Sequence, residues 1–236
     1  MTFEAYSRAR RLSGALSQLR LGFDLDNTAA DAGFQSLSGF RDAFSKVFGE
    51  PAGKADRAKA IRLGWVETPI GPMIAGAREG ALILLEFTNR RMMEAQIETL
   101  KKRFKAAFLP EDDEIIRQTR AELGEYFSAT RKNFSIPLDY PGTPFETKVW
   151  NALLQIPYGE TRSYEDLAKA TSSKGAVRAV GSANGRNRIA IVIPCHRVVN
   201  KSGALGGYGG GLWRKQALLS LEQAGPRSLV IAGDSA

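Results

Sequence analysis

Few residues in this chain can do chemistry. Its 236 residues contain one cysteine, Cys195, and one histidine, His196, and the two are neighbours. A lone cysteine excludes an internal disulfide, and one Cys with one His is too few for a Cys/His zinc site. What remains is thiol chemistry. A nearby cation favours the nucleophilic thiolate, and Arg197 follows directly. From the residues alone, two other readings stay open. A single cysteine behind an Ile/Val run is most often an inert core thiol, and a Cys/His hydrolase is compatible with the residue types. Adjacent residues on an extended chain face opposite sides, so His196 needs a water or a bent backbone after Pro194 to reach the sulfur.

Several elements must position this pair. Residues 189–193 are a continuous apolar run of strand type ended by Pro194, which presents Cys195 at a strand edge. Upstream, an amphipathic helix is expected over 145–156, with Phe145, Val149, Trp150, Leu153 and Leu154 as its apolar stripe. Ser163 caps a short helix over 164–170, and a helix of small residues over 174–183 carries Arg178. Those two helices form a helix-turn-helix whose small-residue second helix suits close approach to a narrow groove. Downstream, the run Gly206-Gly207-Tyr208-Gly209-Gly210-Gly211 allows the backbone to approach a ligand closely. It lacks the Lys-Ser/Thr ending of a phosphate loop, so a nucleoside triphosphate is not expected.

The preceding part of the chain reads as support. Strands at 65–68, 72–77 and 81–87 and helices at 92–107 and 115–127 make a small α/β scaffold with nothing catalytic in it. The acidic run over 111–114 is a solvated cap rather than a metal site. Residues 1–60 read as helical, over 3–19, over 27–32 and again from Ser38 as N-cap, with Phe40, Phe44, Val47 and Phe48 on one face. Two short helices hinged at Gly33 make another helix-turn-helix candidate. The chain carries 33 Lys+Arg against 25 Asp+Glu, and residues 141–236 hold 12 basic but only 6 acidic residues. That excess points to a negatively charged partner, nucleic acid first, met beside Cys195. The start of the chain has neither a signal peptide nor an anchor, and no stretch reaches ~18 apolar residues, so a cytoplasmic protein that does not meet the membrane is expected.

Two resemblances sharpen this reading. Asp31-Ala32-Gly33-Phe34, with Ser36, Ser38, Phe40, Phe44, Phe48 and Gly49, resembles the second helix-turn-helix of AraC-type transcription regulators. Ile193-Pro194-Cys195-His196-Arg197-Val198-Val199, with Arg178-Ala179-Val180-Gly181 upstream, resembles the active-site region of O6-alkylguanine-DNA alkyltransferases. Together they look like a shortened protein of the Ada type. The resemblance implies an α+β multi-domain fold. A partial AraC-like region would cover 1–60 and a small α/β, ribonuclease H-like scaffold 61–140. A winged-helix-like catalytic DNA-binding domain with a short tail would cover 141–236. It implies irreversible, stoichiometric transfer of an alkyl group from O6 of guanine, with O4 of thymine as a secondary target, to Cys195. His196 would take the thiol proton through a water, Glu222 would orient His196, and Asn187 would tie the recognition helix to the active-site strand. Tyr164 would assist nucleotide rotation, Arg178 would fill the gap in the base stack, and Tyr208 would wall the guanine pocket. Arg197 and Gly209 would border the DNA and the lesion. Without the family, Glu222 reads as a solvated charge near a helix end.

The implied partner is double-stranded DNA, entered from the minor groove with the base flipped, by a monomer without cofactor or metal. Ala190 stands where some relatives have a proline, and Gly209 where a serine is frequent, which implies a roomier pocket. The zinc-dependent phosphotriester repair of Ada-type proteins needs four cysteines and is not expected here. An alkylation-sensing transcription regulator is the alternative from another class.

Overall fold

The computed structural model describes residues 15, 18, 25–36, 38–40, 42, 60–106, 108–110, 113–173 and 175–226. Apart from Ala15 and Gln18, the helix expected over 3–19 lies outside these, as do Phe44, Val47, Phe48 and Gly49. The first described helix, α1, spans Leu25–Asp31. The next helical residues begin at Ser38, where Ser36 rather than Ser38 caps the turn: its Oγ accepts from the Gly39 amide at 3.1 Å.

Four strands form the scaffold sheet: β1 (Ile61–Val66), β2 (Met73–Arg78), β3 (Ala81–Phe87) and β4 (Phe108–Pro110). Their order is β3-β2-β1-β4, with β1–β2 and β2–β3 antiparallel and β1–β4 parallel. Helix α2 (Met93–Phe104) makes the crossover to β4, and α3 (Glu114–Phe127) follows with Asp113 as its N-cap. β1 begins four residues before the expected strand, because Ile61 and Leu63 alternate inward there. β4 carries no alternation long enough to be read from sequence.

Both faces of the sheet are covered. Val66, Met73, Ala75, Leu85 and Phe87 pack with Ile116, Leu123 and Tyr126 of α3. Ile61, Leu63, Ile74, Ile83 and Leu84 pack on the other face with Ile97 and Leu100 of α2 and with Ala29, Ala32 and Phe40 of the first segment. Strict alternation cannot place Ile83 and Leu84 on one side. The register slips between Gly76/Ala77, opposite these residues, and inserts the extra residue that lets it happen.

The part of the chain after residue 140 is mainly helical among the described residues. Helix α4 (Pro144–Leu154) opens with a capping box between Thr143 and Glu146 and with Pro144 in its first turn. The strand pair β5 (Arg162–Ser163) and β6 (Val198–Val199) is parallel. Helix α5 (Tyr164–Ala170) starts at the expected cap, Ser163, in a second capping box with Asp166. Helix α6 (Val177–Gly185) completes the helix-turn-helix, shifted toward the C-terminus of the expected 174–183. Helix α7 (Leu212–Ala224) follows the glycine run and closes the site from behind.

One correction matters for the chemistry. Residues 189–193 are not a strand but a compact turn, in which Ile191 adopts φ 71°. A left-handed β-branched residue is strained and persists only where its surroundings over-determine it. Here they do. Leu85 on the free edge of β3 donates to Arg188 O at 2.8 Å and accepts from the Ala190 amide at 2.7 Å, while the Ile193 amide bonds Ile189 O at 2.9 Å. An apolar run is equally consistent with a buried turn, and periodicity cannot separate the two.

Trp150 on α4 fixes α6 by donating from Nε1 to Ala183 O at 2.9 Å inside the core. Trp150→Phe removes one of the two donors to that carbonyl, which the Arg186 amide also reaches at 3.1 Å, and leaves a void. Urea unfolding should show a loss of about 1–3 kcal/mol, whereas a loss below about 0.5 kcal/mol would contradict this packing.

Candidate active site

Cys195 opens a 3-10 turn, Cys195–Arg197, directly after Pro194. Successive residues of such a turn point about 120° apart. Cys195 therefore faces a cleft while His196 and Arg197 point into the protein, and the bent backbone required after Pro194 is present. The cleft has a volume of about 530 Å³ and is lined by Cys195, Tyr164, Asn184, Tyr208, Arg90 and the glycine run, among others.

The sulfur is held from the loop behind it. Asn187 Nδ2 donates to Cys195 Sγ at 3.1 Å and to Ile193 O at 2.8 Å, while its Oδ1 accepts from the Ile189 amide at 3.0 Å. Asn187 thus organises the turn that carries the thiol. Burial pushes the Cys195 thiol up, and the Asn187 hydrogen bond and the charges of Arg90 and Lys215 oppose it.

Behind the turn sits a buried carboxylate. Glu222 Oε1 accepts from His196 Nε2 at 2.9 Å and from Tyr126 Oη at 2.7 Å. Arg197 donates to both oxygens, with Nε 2.9 Å from Oε2, and the Gly159 amide donates to Oε2 at 3.0 Å. Burial alone would raise the Glu222 carboxyl, but the hydrogen bonds from His196 and Arg197 and the Arg197 charge hold it well below the usual carboxylate range. Burial lowers the His196 pKa against the pull of Glu222, which favours the neutral ring. With Nε2–H committed to the carboxylate, Nδ1 carries the lone pair. That atom is buried and has no protein partner among the described residues.

The structure brings Tyr164, Asn187, Cys195, Tyr208 and Gly209 to or against the cleft and places His196 and Glu222 behind it. Arg178 is exposed on α6. Tyr164 donates to Gly207 O at 3.4 Å, and a Cβ at Gly206 would lie 2.5 Å from its ring, so only glycine fits there. Two expectations are corrected. Arg197 is not at the DNA border: it is 6% exposed and bound to Glu222 and to Ile156 O. Gly209 does not make the pocket roomier, because Arg90 fills that side and a Cβ at 209 would meet its Cζ at 2.6 Å.

Sequence reasoning also missed partners. The scaffold reads as non-catalytic, yet Tyr126 on α3 binds Glu222 and Arg90 after β3 lines the cleft. Lys215 is fully buried, donating to Val198 O and Gly206 O, and burial pushes its pKa down to about 8. A signal for it existed: Lys215 and Glu222 lie seven residues apart and so share one face of α7.

A thiol, a neutral imidazole and an oriented carboxylate, set in a helix-turn-helix on an α/β scaffold, define a DNA-binding protein with a nucleophilic cysteine. Profiles of two domains match in tandem: the 6-O-methylguanine DNA methyltransferase ribonuclease-like domain over 61–140, and the DNA binding domain of the same methyltransferase over 144–224. A helix-turn-helix domain profile matches 1–58. The methylated-DNA–protein-cysteine methyltransferase of Mycobacterium leprae is 45% identical over 158 residues, covering 67% of this chain and 90% of the relative. The inducible enzyme of Bacillus subtilis is 45% identical over 136 residues, covering 58% of this chain and 76% of the relative. The crystal structure of Mycobacterium tuberculosis OGT in complex with DNA superposes with a TM-score of 0.61 at 38% identity, covering 72% of this chain and 99% of that one. The chain belongs to the methylated-DNA–protein-cysteine methyltransferase family.

The placement of Arg197 generates a test. Arg197→Met leaves Glu222 as a buried charge short of its main counter-ion, so urea unfolding should show a loss of about 3–5 kcal/mol. The salt dependence of duplex binding should keep its slope. A slope smaller by ~1 would mean that Arg197 contacts a phosphate after all.

Proposed function

We propose that this chain repairs DNA by moving an alkyl group from O6 of guanine to Cys195 in a single, irreversible displacement. The observation that carries this reading is the sulfur held by Asn187 at the wall of a cleft, backed by a His196–Glu222 pair with one ring nitrogen left to accept a proton. His196 Nδ1 takes the thiol proton through a water. Sγ then attacks the alkyl carbon, the S–C bond forms as the C–O6 bond breaks, and the electron pair passes to the guanine. Tyr164 donates a proton to the departing base, which restores guanine. Glu222 holds the imidazole in its tautomer and stabilises the charge it gains. The product is a thioether, which water does not reopen at an appreciable rate, so each molecule acts once.

Guanine O6 is out of reach inside a duplex, and flipping the nucleotide costs a few kcal/mol. The small-residue face of α6 suits the minor groove, and Arg178, exposed on that helix, would enter the stack the base leaves. Tyr208 walls the pocket. We read 61–140 as a ribonuclease H-like scaffold, supported by its antiparallel β1–β3 with parallel β4, and 141–236 as a winged-helix-like catalytic domain. Residues 1–60 make up a third, AraC-type region. The protein acts as a monomer on duplex DNA, without cofactor or metal.

Incubation with a duplex containing O6-methylguanine should methylate one Cys195 per molecule, read by peptide mass spectrometry, and Cys195→Ala should abolish transfer. Methylation elsewhere, or more than one turnover, would refute the reading. Arg178→Ala should slow transfer from the duplex roughly tenfold by removing support for the flipped state, while leaving the reaction of Cys195 with iodoacetamide unchanged.

A further inference from the structure

Arg90 is the one buried guanidinium among the described residues lining the cleft. Its side chain is 5% exposed and ion-paired with the fully buried Glu86, four residues earlier. From the end of β3 it crosses to the catalytic part. Nη1 donates to Asn187 O at 2.9 Å, and Nη2 donates to Gly185 O at the end of α6. Nε is buried with no partner among the described residues, and the guanidinium lies so close to Gly209 that no side chain fits between them. These contacts put a cation against the Asn187 peptide, whose side-chain amide holds the reactive sulfur.

We propose that Arg90 is a positioning residue for the transfer, fixing the Asn187 carbonyl and, through a charge trimmed by Glu86, easing formation of the Cys195 thiolate. This rests on Cys195 being the alkyl acceptor. A buried cation acts on a nearby thiolate with little solvent screening, and removing it leaves Glu86 to oppose the negative sulfur. The other ionisable groups facing the sulfur are Lys215 from α7, Tyr164 from α5 and Tyr208 from the glycine run, while His196 lies behind it. The Arg90 and Lys215 charges lower the thiol against its burial. Lys215 is held by two carbonyls of the catalytic part, whereas Arg90 is the cation delivered by the scaffold.

The test uses the full chain and two probes. Iodoacetamide reports the pH at which the Cys195 thiolate forms, with no DNA present, and a duplex containing O6-methylguanine reports transfer. Arg90→Met should move the midpoint of the iodoacetamide pH–rate profile up by about one unit, a roughly tenfold loss of rate below the midpoint. Glu86→Gln, which keeps the acceptor for the Phe87 amide, should move it down. The double variant E86Q/R90M removes the stranded charge and so remains a folded control. Its midpoint should lie above that of the wild type but below that of Arg90→Met. Arg90→Lys keeps the charge but loses the fork, so its midpoint should stay near wild type while transfer from the duplex slows. An unchanged midpoint in both Glu86→Gln and the double variant would overturn the assignment. A chain with the expected midpoints but no transfer from the duplex would instead refute the repair reading and leave the role of Arg90 at the thiol intact.

Discussion

The catalytic half is arranged around one buried carboxylate. Glu222 accepts hydrogen bonds from Tyr126 on α3, from the Gly159 amide after α4, and from His196 and Arg197 in the turn that carries Cys195. A carboxylate is costly to bury, and it is tolerated here because both oxygens are satisfied and a guanidinium sits on them. Taking any donor away leaves the others facing a charge they no longer balance. The same contacts that settle the electrostatics therefore fix where α3, α4 and α7 stand relative to one another. His196 inherits its tautomer and orientation from an interaction whose first consequence is structural.

A second knot sits on the other side of the thiol. The free edge of β3 would ordinarily be a row of unpaired amides and carbonyls. Here Leu82 bonds Pro137 O and the Asp139 amide, and Leu85 bonds Arg188 O and the Ala190 amide. The segment before Cys195 is thus an extension of the scaffold sheet, and the strained Ile191 is held because its neighbours on both sides are pinned. Asn187 and Arg90 work at the same seam. The nucleophile stands between a sheet edge and a buried carboxylate, and neither can shift without moving it.

The sequence made the ends of this arrangement legible and hid its middle. Capping boxes at Thr143 and Ser163 use local rules, so α4 and α5 are readable within a residue or two at their starts. Cys195 and His196 stand out because each is the sole member of its type. The turn at 189–193 does not, since a run of Ile, Ala and Val satisfies a buried strand and a buried turn equally; what decides is pairing with Leu85, about a hundred residues away in sequence. Glu222 reads as a solvated charge near a helix end unless the family is known, because its partners come from three other segments. Arg90 and Lys215 belong to residue types that are nearly always exposed, and only tertiary structure shows them to be interior.

Those interior cations change what the charge count means. The basic excess of residues 141–236 invites the inference that this half is a positive surface for phosphates. Yet Arg197, Arg214 and Lys215 are at most 6% exposed, and among the described residues of that half Glu222 is the one carboxylate buried with them. Arg197 spends its charge on Glu222, and Arg214 donates to Ile70 O and Gly210 O beneath the rings of Phe87 and Trp213. The surface charge left for a backbone is smaller than the count and comes from residues such as Lys169, Arg178, Arg186 and Lys201, which are exposed. Three of these are already engaged in surface pairs, Lys169 with Asp166, Arg186 with Glu146 and Lys201 with Glu165, which are weak enough to exchange for phosphate. The interior cations act over a shorter range. Lys215 and Arg90 bias the ionisation of a single sulfur, which needs position rather than number. A sequence-level charge sum adds these two populations together, although one is fitted to a long polyanion and the other to one atom.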